Sequence, residues 1–204
     1  MIRRVARRQL TRRDGTRYTF ADMCGLDHAL HDEMFHRGVT PELEDLAGWQ
    51  FQGWNSSPVA GVIGCRRYIK GFFSEEEMGG EHAFLWGYNV WVRQTGTPRD
   101  AWIPSQRWFP IPGERPPERP RRHGIYKVTH AKDSATDHEH PRALLLDYGE
   151  GDNPLTHMGR LLRDYMVQVY EDDPTLLMGM VYAAVGRERV RLPGHFMMVR
   201  FRRG

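Results

Sequence analysis

From Leu46 onward, hydrophobic and polar positions alternate with a period close to two. Residues 46–54, 65–73, 83–94, 124–130, 142–148, 164–170, 176–185 and 191–201 each carry β-branched, aromatic or large apolar side chains over strand-like lengths. Most are separated by turn-forming clusters, such as Asn55-Ser56-Ser57-Pro58, Met78-Gly79-Gly80, Glu171-Asp172-Asp173-Pro174 and Gly186-Arg187-Glu188-Arg189. Only 155–162 offers a helix-like stretch between consecutive strands, so parallel βαβ units are disfavoured. Eight antiparallel strands remove their exposed edges by closing on themselves. The pattern therefore predicts a mainly β fold, an antiparallel up-and-down β-barrel. A β-sandwich satisfies the same alternation and is the alternative.

Upstream the period lengthens. Leu26, Leu30 and Met34 recur at i, i+4 and i+8 with Asp27, Asp32 and Glu33 between them, which predicts a short helix over 26–37 stopped by Gly38. Thr40-Pro41-Glu42-Leu43-Glu44 has the cap, proline and acid order of a second helical turn. The chain is thus expected to divide into a basic leader with short helices packing on the barrel (1–45) and one barrel domain (46–204). Residues 97–122 hold seven of the thirteen prolines together with Trp102, Trp108 and Phe109. So long a loop reads either as a lid across a barrel mouth or as a strap covering a core edge.

Composition narrows the class. At 204 residues, 40% hydrophobic and 27% charged, the chain has ordinary globular values, and its apolar runs are far too short to span a bilayer as helices. The seven arginines of residues 1–20 come without an apolar stretch that could serve as a secretion signal. Cys24 and Cys65 accordingly read as a reduced pair, and a cytoplasmic location is expected. Formal net charge is only +3, with arginines spread over the termini and one loop, so nucleic acid is not the expected partner.

Leu46-Ala47-Gly48-Trp49-Gln50-Phe51-Gln52-Gly53-Trp54, Leu177-Met178-Gly179-Met180 and Gly194-His195-Phe196-Met197-Met198-Val199-Arg200 together resemble the GXWXG-type lipocalin-like (calycin-like) domains. The resemblance covers residues 46–68 and 164–200. In register with Gly53, Trp49 stands where that motif has glycine and Phe51 where it has tryptophan. It implies the barrel and, by analogy, a hydrophobic small-molecule guest. A ring at the barrel's entry, Trp49 or Trp54, covered by Arg200 of the last strand is the corresponding candidate pair.

Alternation sorts the third strand into Trp86, Tyr88, Val90 and Val92 on one face and Leu85, Gly87, Asn89, Trp91 and Arg93 on the other. The second set mixes apolar surface, a gap and polar groups, as a ligand wall does. Which face is interior is not fixed, because a shift of one residue reverses it. Met178, Met180 and Tyr182 share one face of the seventh strand, as His195 and Met197 do on the eighth, and methionines suit a pocket for flexible apolar molecules. The expected ligand-binding residues are Tyr88, Trp91, Trp102, Trp108, Met178, Met180, Tyr182 and His195. An enzyme of the same fold, a cofactor-independent cyclase or isomerase, would use Asp147, Asp164 or His195 as base, with Tyr88, Tyr126, Tyr148, Tyr165 or Tyr182 as proton donor. A third reading is an interaction module whose basic leader meets an anionic partner. His138 and His140, and His28 and His31 at i, i+3, lack zinc-site spacing, so no metal and no cofactor are expected. A homodimer is compatible with the pattern. No nucleophile elbow, phosphate loop, dinucleotide fingerprint or His-Glu-x-x-His occurs.

Overall fold

The computed structural model describes residues 10–80, 83–106, 113, 115–156 and 158–204. Strands β1 (Trp49–Asn55), β2 (Arg67–Phe72), β3 (Leu85–Val90), β4 (Arg122–His130), β5 (Leu144–Asp147), β6 (Leu162–Tyr170), β7 (Asp173–Val185) and β8 (Glu188–Arg203) pair antiparallel in chain order. β8 returns to β1, so the sheet closes as the period-two pattern predicts. A sandwich is excluded by that closing ladder.

Register identifies the two faces. Phe51 lies opposite Lys70, Lys70 opposite Asn89, Gly87 opposite Tyr126, Leu146 opposite Asp164, Met166 opposite Gly179, and Gly179 opposite Phe196. Lys70 of β2 meets Asp164 of β6, which is not a neighbouring strand, so this face is the interior. Phe51, Phe72, Tyr126, Leu144, Leu146, Leu177, Phe196 and Met198 fill it. Three interior rings lie flat over glycines of the adjacent strand. A Cβ at Gly53 would sit 2.2 Å from Tyr68, one at Gly87 2.1 Å from Tyr126, and one at Gly179 2.1 Å from Phe196. The missing side chains give the rings their seats against the wall.

The other face looks outward, yet much of it is buried. Helices α1 (Phe20–Met23) and α2 (His28–Arg37) bring Phe20, Met23, Met34 and Phe35 into a second core with Tyr165, Val167, Met178, Met180 and Met197 of β6, β7 and β8. Thr19 caps α1 in a reciprocal box with Asp22, and the Asp27 carboxylate accepts from Leu30 N at 2.8 Å to start α2. Gly38 ends α2 for another reason than a left-handed cap: its φ is −59°, and a Cβ there would strike Val167 at 2.6 Å. The chain is then stitched to β6 by both backbone bonds between Val39 and Gln168. The second helix expected at Thr40 does not form. Residues 43–48 make turns instead, which drop Leu46 into one end of the barrel.

That end is closed. Arg200 lies 4.7 Å over the Trp49 ring and donates to Asp45 O at 2.6 Å, while Arg203 lies 3.9 Å over Trp49. The covering arginine expected in β8 is present, with Trp49 as its ring and a second arginine beside it. Short helices α3 (Pro58–Val62) and α4 (Glu75–Met78) occupy the β1–β2 and β2–β3 connections at opposite ends.

Candidate functional site

A lysine is the least expected residue in an apolar interior. Lys70 arrives there because Tyr68, Lys70 and Phe72 alternate inward on β2. Its Nζ lies 3.1 Å from Asp164 Oδ2, donates to the Tyr148 hydroxyl and lies 3.4 Å from Asn89 Oδ1. The ring centroids of Tyr126, Tyr148, Phe196 and Tyr68 stand 4.6, 4.8, 5.7 and 5.8 Å from Nζ. The cation therefore sits in an aromatic cage with one carboxylate partner.

The network is directional. Asn89 Nδ2 donates to Gly124 O at 3.1 Å and to the Tyr148 hydroxyl at 3.3 Å, while Tyr126 donates to Gly71 O at 3.1 Å. Asp164 Oδ2 faces Lys70 and lies 3.5 Å from the Tyr148 hydroxyl, but Asp164 Oδ1 is buried without a partner. Burial pushes the Asp164 carboxyl above its ordinary value although Lys70 beside it pulls the other way. Burial also raises Tyr148, Tyr126 and Tyr68, keeping their phenols protonated as donors. Chemically, the arrangement offers one free carboxylate oxygen, one ammonium and one phenol at a common point inside an apolar wall.

The cluster lies toward the end opposite Trp49, where β3 leads into β4 and β5 into β6. The connections there carry exposed apolar side chains: Val62 of α3 is 83% and Leu155 89% exposed, and Val59, Ile63, Ile103 and Leu161 accompany them. All six lie on the β1–β2, β3–β4 and β5–β6 connections, at the same end of the barrel. Asn153 fastens the β5–β6 loop to β4, accepting from Ile125 N at 2.9 Å and donating to Ile125 O at 2.6 Å.

The structure corrects the expected pocket. Of the three base candidates, only Asp164 faces the interior. Asp147 points outward, accepting from Gly149 N at 2.7 Å and pairing with Arg163 at 3.0 Å, where it holds a turn. His195 is outward and fully buried beneath α2. Met178, Met180 and Tyr182 share that outer face and pack with the helices or with His140. Tyr88 is also outward, its hydroxyl accepting from Gln50 Nε2 at 3.1 Å. These residues build the second core, so the outer methionine face had mimicked a pocket wall. On β3 the mixed set Leu85, Gly87 and Asn89 is interior, but Trp91 lies beyond the strand and stacks on His123 at 3.6 Å. Trp102 is a strap residue: it donates to Gly53 O at 3.2 Å from outside, under Arg67 at 4.1 Å. Trp108 lies outside the described residues. Tyr126 and Tyr148 were among the proton-donor candidates and Asn89 belonged to the candidate ligand wall of the third strand, whereas Lys70 was missed. The legible signal was a lysine in phase with Tyr68 and Phe72.

Fold and site together define a closed eight-stranded barrel with an ion pair caged by aromatic rings in its interior. No family model, no curated protein and no solved structure matches the chain. Among the described residues, no helix is long and apolar enough to cross a membrane.

Proposed function

We propose that the protein binds a small, largely apolar molecule bearing one hydrogen-bond donor, held inside the barrel against Lys70, Asp164 and Tyr148. The observation that carries this reading is Asp164 Oδ1, a buried carboxylate oxygen with no partner beside an otherwise satisfied network. A buried ion pair is costly to desolvate, and leaving one of its acceptors unpaired adds about 1–3 kcal/mol. A guest donor recovers that cost. Its apolar body would meet the Tyr68, Tyr126 and Phe196 rings, and the apolar loop end supplies an approach. The guest must displace side chains, since the lumen is occupied by rings over most of its length.

Denaturing extraction of the full-length protein followed by mass spectrometry tests the reading. One compound recovered at a fixed ratio to polypeptide, and lost from Asp164→Asn, supports it. Equal recovery from both proteins, or none from either, rejects it.

The raised carboxyl of Asp164 favours a second reading, proton transfer by an isomerase or cyclase on such a guest. Asp164 would take the proton and Tyr148 or Lys70 would steady the developing oxyanion. Turnover of the identified guest by wild type and not by Asp164→Asn distinguishes catalysis from storage.

A further inference from the structure

Three histidines meet where α2 packs on β8, away from the barrel interior. His28 and His31 are one turn apart at the start of α2, and His195 projects outward from β8. Their ring centroids are 6.3 Å (His28 to His31), 6.1 Å (His28 to His195) and 5.2 Å (His31 to His195) apart. One ring nitrogen from each can be chosen so that all three lie within 4.8 Å of one another. His31 and His195 are fully buried, whereas His28 is exposed.

Each buried ring has one nitrogen occupied and one free. His31 Nε2 lies 2.7 Å from Met23 O, which can only accept, so the proton sits on Nε2 and Nδ1 keeps its lone pair. His195 Nε2 lies 3.0 Å from Asp32 Oδ1 and 3.3 Å from Arg191 Nη2; the guanidinium is engaged by the same carboxylate, and the shorter contact to Asp32 places the proton on Nε2, which leaves Nδ1 its lone pair. Both Nδ1 atoms are buried and without a hydrogen-bond partner. Two buried ring nitrogens left unpaired in one histidine cluster are expensive for packing alone. Neutral imidazoles whose outer N–H is fixed by a carbonyl and a carboxylate are what metal-ligating histidines have.

We propose that His28, His31 and His195 form a binding site for a divalent transition-metal ion of the zinc class, with Met23 O and Asp32 orienting the two buried ligands. Three imidazoles suit such an ion. Tetrahedral metal–nitrogen distances of about 2.0–2.1 Å bring ligand nitrogens to about 3.3 Å apart, so the rings draw inward, chiefly the exposed His28. His28 also lines an open concavity of about 340 Å³ with Arg191, Leu192, Pro193 and Gly194, which leaves the fourth position accessible to water or an anionic ligand. The Arg191 guanidinium near the site is itself paired with Asp32, limiting its repulsion of a cation. The ion would pin α2 to β8.

The test uses full-length protein stripped with chelator and titrated with Co²⁺ alone, then Zn²⁺ alone. The site predicts one Co²⁺ per chain with the visible absorption of a four-coordinate ion, displacement by Zn²⁺, and a thermal midpoint that rises with Zn²⁺. His28→Ala, at an exposed position, should keep the fold and weaken Zn²⁺ binding at least tenfold, and Asp32→Asn about 10- to 100-fold. His140→Ala, in a separate histidine cluster, should bind as wild type does. Folded, stripped wild type that takes up no Co²⁺ and shows no Zn²⁺-dependent midpoint overturns the proposal. Unchanged binding in His28→Ala, or equal weakening in His140→Ala, does so as well.

Discussion

Lys70 on β2 and Asp164 on β6 reach across the barrel to an Nζ–Oδ2 distance of 3.1 Å, each side chain 5% exposed. Removing one partner strands the other charge, which costs about 3–5 kcal/mol, whereas replacing both with apolar residues of similar volume is often neutral or stabilising. Lys70→Met and Asp164→Leu should each lower stability in urea by an amount of that order. The double variant should recover most of the loss. A double variant whose loss equals the sum of the singles would show that the two groups are not coupled.

The ring seats are equally specific. Gly87→Ala places a Cβ 2.1 Å from Tyr126, so the ring must leave its seat against the wall and crowd its packed neighbours. Overpacking of this kind costs about 1–3 kcal/mol. Thermal denaturation should show the loss, and adding Tyr126→Leu should recover part of it. A Gly87→Ala midpoint equal to wild type would contradict the packing described.

Burial and the neighbouring His36 lower His140 to about 4 from its ordinary 6.5; Glu139 and Asp32 pull it up, and Arg191 pushes it down. Between those two values the unfolded chain holds a proton that the folded chain refuses, so this histidine's contribution is full above pH 6.5 and falls as pH drops toward 4. The slope is about 1.4 kcal/mol per pH unit. Urea midpoints of wild type should decline more steeply from pH 6.5 to 5 than those of His140→Phe. Parallel declines would remove His140 as the cause.

Val62 and Leu155 are exposed at the loop end that leads toward the ion pair. Val62→Glu and Leu155→Glu should change stability by no more than about 0.5 kcal/mol, as surface substitutions do. If that end admits the guest, both should slow or weaken its uptake, read by the amount recovered on extraction. Undiminished recovery from both variants would place the entrance elsewhere.

Strand number, order and closure were legible because inward and outward residues alternate along every strand, and α2 was legible from Leu30 and Met34. The pocket was not, because Met178, Met180 and His195 are as buried as the true interior residues Leu177, Gly179 and Phe196 that alternate with them. A strand buried on both faces gives no polarity cue to which side is in. Lys70 was hidden by the ordinary prior that lysines are exposed, although its phase with Tyr68 and Phe72 marked it. His195 joins His28 and His31 only through the packing of α2 on β8, a relation no local spacing encodes.

The most direct measurement of the central claim is the native mass spectrum of full-length wild type beside Lys70→Met/Asp164→Leu, which keeps the packing and removes the polar site. Wild type should show a satellite peak above the polypeptide mass that is absent from the double variant. The same satellite in both proteins, or the bare polypeptide mass in both, would contradict it.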